Sequence, residues 1–491
     1  MSPIKAVVLL LLLLFSGCAT GRGAGELRRM DELEEFNGVV REAAERVQDG
    51  AETESGRLEL LADLGVALTA RGDEEAATVA LDVGRNRLLL LAEEPEAASV
   101  VAGKLAEGYA RLEMTQPAAN LLDRGRRFAV ALPEEARQGS LVDLVLIAAR
   151  GEGIYAEATR AALDELYVLE SAQIRSRGIL TVAEALIDRD VSVDVANLLQ
   201  QAIPAAAEVQ SAYIRSARFT EVARLFRLLG DAETSLYAEE KALDIIEGAA
   251  APILDVPVLE ALEEIAAYFR WRVMYEEAEQ VISRIPITAR RAREYARLAR
   301  RAANLGNEGR AADYGDEALE ILDSLQAGSA EAATARAILA GVYRTLENSR
   351  QARLLFQDIL FDLEGAPATT GYQEPFVEAM VYLVQGEEVG RLGEIVALSE
   401  SSDFRAQVLV SLADRPELSR DERLQAGVLR QAAGEETREL SRETQLRLIR
   451  GFTSRGLRNE ARRIIEESTD RYVQAAGYIE IIEAFPEFEE T

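Results

Sequence analysis

Apolar and small residues recur along this chain in blocks. The clearest block runs Leu64-Gly65-x-x-Leu68, then Gly72, then Ala77, Leu81 and Gly84. Apolar positions four apart on one face predict a helix. Gly72 predicts its end, because glycine takes the left-handed conformation of a helix C-terminus without a Cβ clash. The small-large-small series after it predicts a second helix packing back, with Ala77 letting the two backbones approach. Such a hairpin cannot bury both of its faces alone, so it calls for a copy beside it.

The chain supplies copies. Leu105-Ala106-x-x-Tyr109 leads to Ala118, Leu122 and Gly125, and Ala149, Gly153 and Ala158 form a weaker version. Val222-Ala223-x-x-Phe226 leads to Gly230, Ser235 and Ala242; Ile265-Ala266-x-x-Phe269 leads to Ala278, Ile282 and Ile285. Leu298-Ala299, Leu339-Ala340 and Leu448-Ile449 open further units. Ser171-Ala172-Gln173-Ile174-Arg175-Ser176 and Ser211-Ala212-Tyr213-Ile214-Arg215-Ser216 are near-duplicates. Most prolines, among them Pro95, Pro133, Pro204, Pro286 and Pro375, fall between the predicted helices. Ala249–Val258 and Gly365–Tyr372 read as linkers, and the repeat is hardest to trace between Gln385 and Gly434.

This arrangement resembles the tetratricopeptide family, whose signature is Leu-Gly-x-x-Tyr followed by Ala-x-x-x-Phe and a terminal Pro. The resemblance covers most of Glu54–Ser468. It implies an all-α solenoid, a right-handed superhelix of about eleven degenerate TPR-like hairpins. The leading Trp of the family is missing, and the step is nearer about 40 residues than the family's ~34.

Composition fits this reading. The 491 residues are 48% hydrophobic and 29% charged, with aromatics at only 6%. Ala, Leu, Glu and Arg, all strong helix formers, dominate. The net charge of −30 disfavours nonspecific nucleic-acid binding, which needs a basic surface, and attracts cationic partners. There is no histidine, which excludes Ser-His-Asp and Cys-His catalysis and His-ligated metals. Lys5, Lys104 and Lys241 are the only lysines.

The N-terminus reads MSPIKAVVLLLLLLFSGCAT. Lys5 is followed by a ten-residue apolar run, Ala6–Phe15, too short to span a bilayer and typical of a signal-peptide core. Phe15-Ser16-Gly17-Cys18 resembles the lipobox of bacterial lipoproteins, with Phe15 where leucine is usual. The resemblance implies a signal peptide at 1–17, acyl chains on Cys18 and, with Ala19 next, sorting to the outer membrane. More than one acyl chain anchors stably. Cys18 is the sole cysteine, so the mature chain has no internal disulfide. The expected layout is a tether at 18–25, a solenoid at 26–364 that opens with a capping helix at Glu26–Val47, and degenerate repeats at 365–491 that end with a capping helix at Asp470–Phe485.

Two arginine patterns go beyond the packing signature. Arg175, Arg215, Arg291 and Arg405 each sit seven residues before an apolar-Ala pair, so stacked repeats would set them in a line. They are read as caps on the preceding helix's carbonyls, as ion-pair partners of a carboxylate in the next repeat, or as a ladder for acidic groups of a partner. Arg290, Arg293, Arg297, Arg300 and Arg301 form a stripe along one helix, with Glu260, Glu263 and Glu264 as expected neighbours. Internal ion pairing and a partner-carboxylate site both fit it. Trp271 is expected in the core. With 85 Asp and Glu, glycosidase-like carboxylate spacing somewhere is uninformative.

The reading is a lipid-anchored envelope scaffold that binds protein partners through a repeat groove, in envelope assembly or as a transporter accessory. It is not an enzyme and uses no cofactor or metal. The alternative is a helical toroid that binds or hydrolyses a small molecule or glycan. In that case the termini would meet around an aromatic, carboxylate-lined hole; an open superhelix would leave them apart.

Overall fold

The computed structural model describes residues 46–47, 53–149, 155–187, 194–325, 329–419, 421–434 and 437–485. Cys18, the tether and most of the helix expected at 26–47 lie outside them. Among the described residues there are 23 α-helices and no strand. None of these helices is long and apolar enough to cross a membrane.

The helices follow one another as eleven pairs and a single closing helix. The first pairs are α1 (Glu54–Ala70) with α2 (Glu74–Arg87), α3 (Pro95–Arg111) with α4 (Thr115–Val130), and α5 (Glu134–Ala149) with α6 (Ala156–Tyr167). Next come α7 (Ala172–Ile187) with α8 (Val195–Ala207), α9 (Ala212–Leu228) with α10 (Ala232–Gly248), and α11 (Val256–Trp271) with α12 (Tyr275–Ser283). Then come α13 (Thr288–Asn304) with α14 (Glu308–Asp323) and α15 (Ala330–Thr345) with α16 (Ser349–Leu363). The series continues with α17 (Thr370–Gln385) and α18 (Leu392–Val396), then α19 (Ser402–Ala413) and α20 (Glu422–Ala432). It ends with α21 (Arg442–Thr453), α22 (Arg458–Glu467) and the single α23 (Arg471–Ala484). The fold is an all-α, TPR-like helical-repeat solenoid.

The turn inside a pair shows why the signature residues recur. The chain enters the left-handed region at one residue: Gly72, Glu113, Gly230, Val273, Gly306, Glu347, Glu387 or Gly456. The following N–H then reaches back to close a Schellman bond. Asp73 N donates to Leu68 O at 3.0 Å, Met114 N to Tyr109 O at 2.9 Å, and Asn348 N to Tyr343 O at 2.8 Å. Phe226, Phe269 and Phe452 accept in the same way. The large residue of the signature is therefore both a core plug and the acceptor that stops its helix. The next residue often starts the second helix as its N-cap: Asp73, Asp231, Asn307 and Asn348 accept from backbone N–H groups three residues on.

Close approach is visible at one leucine. A Cβ added at Gly65 would lie 2.6 Å from Leu81 Cδ2, and one at Gly108 2.5 Å from the same atom. Glycines on successive first helices thus admit Leu81 of the second helix between them.

Two compact units emerge. One holds the residues up to Ala202 and those from Gln445 onward; the other is Ile203–Thr444. In the first unit, α1, α3, α5 and α7 pack side by side as a layer of first helices, with α2, α4 and α6 behind. In the second, α9, α11, α13, α15, α17 and α19 form the corresponding layer. Residues 365–444 continue the second unit, so the stack runs on past Gly365.

Three expectations are corrected. Pro204 lies within α8 and Pro375 within α17, where each removes one backbone donor. Trp271, the last residue of α11, is 45% exposed rather than buried in the core, its ring lying against that of Tyr268 at 6.0 Å. The described ends of the chain do not stand apart: α23 packs on α1, and Arg46 Nη1 donates to Gln474 Oε1 at 2.6 Å. The closing helix thus stacks on the first helix of the series, as a terminal cap of a repeat array does.

Candidate partner-binding site

The arginine stripe sits on α13, and the structure shows what its sequence could not. At its centre is Glu294, a carboxylate with no exposed surface. Arg297 Nη1 donates to it at 2.6 Å and Arg270 Nη1, from α11, at 2.7 Å; Arg293 Nε lies 3.4 Å away. Burial, the largest single influence, would raise the Glu294 carboxyl. Arg297 and Arg270, helped by Arg293, overcome it and hold the group below its ordinary value. The Arg270 guanidinium, only partly exposed, is pushed down by desolvation despite Glu294.

The network extends both ways along the layer of first helices. Toward α11, Glu263 takes Arg293 at 2.7 Å and Arg290 at 3.3 Å; Arg290 also lies 3.8 Å from Glu331 of α15. Burial leads the influences on Glu263 and raises it, with Glu294 adding to the effect and Arg293 opposing it. Toward α17, Arg297 also pairs with Glu374, and Arg300 Nη1 donates to Glu378 at 2.8 Å. Glu378 is buried and takes Arg415 at 2.6 Å on its other oxygen. Six arginines and five glutamates thus span the first helices from α11 to the end of α19, leaving one cation in excess.

Four of the five stripe arginines, Arg290, Arg293, Arg297 and Arg300, therefore converge on one network and are partnered inside the chain, while Arg301 donates to the Trp271 carbonyl instead. Glu263 is the expected neighbour that takes part; Glu264 instead lies 4.0 Å from Arg218. A partner's carboxylate would enter by exchange with an internal one. The ends of the stripe suit exchange best. Arg290 shares Glu263 with Arg293, and Arg300 shares Glu378 with Arg415, so each of these carboxylates keeps a second arginine.

The second arginine pattern behaves as a recurrent clasp. Arg215 Nη1 donates to Val209 O at 3.0 Å, Arg291 Nη1 to Ile285 O at 3.4 Å and Arg405 Nη1 to Ser399 O at 3.0 Å, while Arg175 donates to Leu169 O. Each reaches back six residues to a carbonyl just past the preceding helix, an end where cations are favoured. Gln474 repeats the gesture in α23, donating to Ser468 O at 2.7 Å. Arg175 belongs to the first unit and Arg215 to the second.

The layer of first helices in the first unit has a different chemistry. Lys104 of α3 donates to Glu59 at 2.8 Å and to Asp63 at 2.9 Å, both on α1. Desolvation works against the ammonium, yet Asp63 and Glu59 together raise it above its ordinary value. Burial raises Asp63, and Glu59 and Glu483 add to that, outweighing its share of Lys104. A 230 Å³ pocket beside Lys104 is lined by Ser99, Gly103, Glu107, Ser140 and Asp143 among others, none of them aromatic. Among the described residues no group of His, Cys, Asp and Glu is placed to hold a metal.

No family model and no curated protein matches the sequence. Among solved structures, the chain is similar to a human IFIT1 dimer with m7Gppp-AAAA at 16% identity, covering 89% of this chain and 94% of that one, with a TM-score of 0.30. Yeast Tom70 is similar at 13% identity over 86% and 95%, with a TM-score of 0.27. A circular tandem repeat protein with novel repeat topology follows at 15% over 98% and 96%, with a TM-score of 0.16. At such scores none of these likenesses bears on what this chain binds. The class rests on the chain's own hairpins: it is a TPR-like helical-repeat protein.

Proposed function

We propose that this protein is a lipid-anchored scaffold of the bacterial cell envelope. It binds partner proteins through the layer of first helices in its second unit. The observation that carries the binding reading is the arginine network of α13: it spans successive first helices, carries one excess cation, and ends in two arginines that can be exchanged without stranding a buried carboxylate. Acidic side chains of a partner segment would pair with Arg290 and Arg300 in the first instance and with Arg293 and Arg297 deeper in. Arg175 in the first unit and Arg215 in the second each hold a helix-end carbonyl six residues back. Many modest contacts along a repeat surface, rather than one deep site, would set the affinity.

The anchoring part rests on the lipobox resemblance at Cys18, with acyl chains holding the protein to the outer membrane on its periplasmic side. Envelope assembly and service to a solute transporter are the settings this suits. No reaction is assigned and no cofactor is required. The rival reading, a small-molecule or glycan toroid, gains from the contact between α23 and α1 but finds no aromatic lining in the pocket beside Lys104.

Two experiments test the proposal separately. Cys18→Ser should release the protein from membranes, and retention would refute lipidation as its tether. A pull-down from envelope extract should lose partners when Arg290→Ala and Arg300→Ala are combined, while the variant keeps its fold. Unchanged partners would leave the stripe with a purely internal role.

A further inference from the structure

The turns of the second unit carry an apolar ridge that the packing does not use. Leu228 and Leu229 close α9, Trp271 and Val273 flank the turn after α11, and Leu305 closes α13; all five are exposed. Their turns are tied together. Buried Glu239 of α10 takes Arg227 at 3.1 Å from the end of α9, and Arg272 at 2.6 Å and Tyr268 at 2.5 Å from the end of α11. Arg301 Nη2, near the end of α13, donates to Trp271 O at 3.3 Å. Leu236, three residues before Glu239 on the same helical face, is half exposed.

Val273 adds a second, independent observation. Its φ is +65°, in the left-handed region, where a β-branched residue is a genuine outlier. At the matching turn position the chain uses glycine at 72, 230, 306 and 456 and glutamate at 113, 347 and 387. Val273 is exposed, so no core contact explains the strain. A strained, exposed valine two residues from the chain's only tryptophan points to a use outside the fold.

The charges around the ridge say what would cover it. The second helices open with acids directly after the turns: Asp231 and Glu233, Glu276 and Glu277, and Glu308. Glu233, Glu276 and Glu308 are exposed. The neighbouring arginines are already engaged: Arg227 and Arg272 with Glu239, Arg310 with Glu276 at 2.5 Å, and Arg301 with the Trp271 carbonyl. We infer that this ridge docks an amphipathic, cationic segment of a partner protein. Its apolar face would lie on Trp271, Val273, Leu229 and Leu305, and its lysines or arginines would meet Glu233, Glu277 and Glu308. The net charge of −30 would steer such a segment in. This surface is separate from the α13 network, so it stands or falls independently of the function proposed above.

Trp271 is a built-in reporter. A short amphipathic Leu/Lys peptide without tryptophan, added to the full chain, should shift the Trp271 emission to the blue and protect it from acrylamide. The matching Leu/Glu peptide and phosphatidylcholine vesicles should do neither. By anisotropy of the labelled Leu/Lys peptide, Trp271→Ala should weaken binding roughly tenfold or more. Val273→Gly should weaken it by a factor of about three or more while leaving the melting temperature unchanged or higher, because glycine relieves the strain. The inference is overturned if the Leu/Lys peptide fails to bind or binds without changing Trp271 emission. It is equally overturned if the Leu/Glu peptide or the vesicles give the same response, or if Val273→Gly binds as the wild type does.

Discussion

The two units build their layers of first helices from the same hairpins and load them with opposite chemistry. In the first, one lysine serves two carboxylates, with Glu483 close enough to act on Asp63, and the surplus is negative. In the second, six arginines hold five glutamates, and the surplus is positive. The difference in depth matters as much as the sign. Glu59 and Asp63 keep about a third of their side chains in solvent, whereas Glu294 has none. A shared fold thus leaves the groove chemistry free, and burial decides whether a charge pair is a local contact or a keystone.

The sharpest way to break this contrast is to delete its deepest member. Glu294→Ala would strand Arg270 and leave Arg293 and Arg297 with one carboxylate each around a buried gap; it should cost ~3–5 kcal/mol, read as a shift in the denaturant midpoint of the second unit. Lys104→Ala in the first unit should cost only ~1–2 kcal/mol, since its partners can rehydrate. Equal losses would erase the distinction.

Acid titration separates the units by sign. Asp63 has a raised folded-state value, so the native state binds more protons than the unfolded one above ~3.9, and its contribution falls as pH rises through that window. Glu294 has a lowered value, so its contribution is full above ~4.3 and is lost as pH falls through the lowered value. Acidifying from about pH 5 to about pH 3 should therefore help α1 and harm α13 in site-resolved hydrogen exchange. A common response in both helices would show that other groups govern the acid limb.

The smallest effects test what the units share. Arg175→Ala and Arg215→Ala each remove one charged donor from a helix-end carbonyl and should each cost about 0.5–1.5 kcal/mol. A large loss in either unit alone would mean that the clasp does more there than close a turn.

Much of this was legible beforehand, for identifiable reasons. The pairs Leu68/Gly72 and Phe226/Gly230 announce their turns because the Schellman bond needs a large residue and a left-handed one at fixed spacing. The α13 stripe was visible as a row of arginines. Its partners were not, because Glu374 and Glu378 stand 77 and 78 residues away in sequence and look like any other acids. Glu294 itself carried a signal, as the one acid in a helix full of arginines. The segment after Gln385 defeated periodicity because its second helix is only Leu392–Val396. The exposure of Trp271 leaves no periodic sign, because an aromatic at a helix's last residue has no following turn to say which way it faces. The meeting of α23 with α1 joins helices about 400 residues apart, and nothing in the local pattern of either announces it.

The most direct test of the central claim is hydrogen exchange on the full chain, alone and with the partner recovered from envelope extract. Binding through the second unit's layer of first helices predicts added protection along α13, α15 and α17 and none along α1, α3 and α5. Protection confined to α1, α3 and α5 would contradict it.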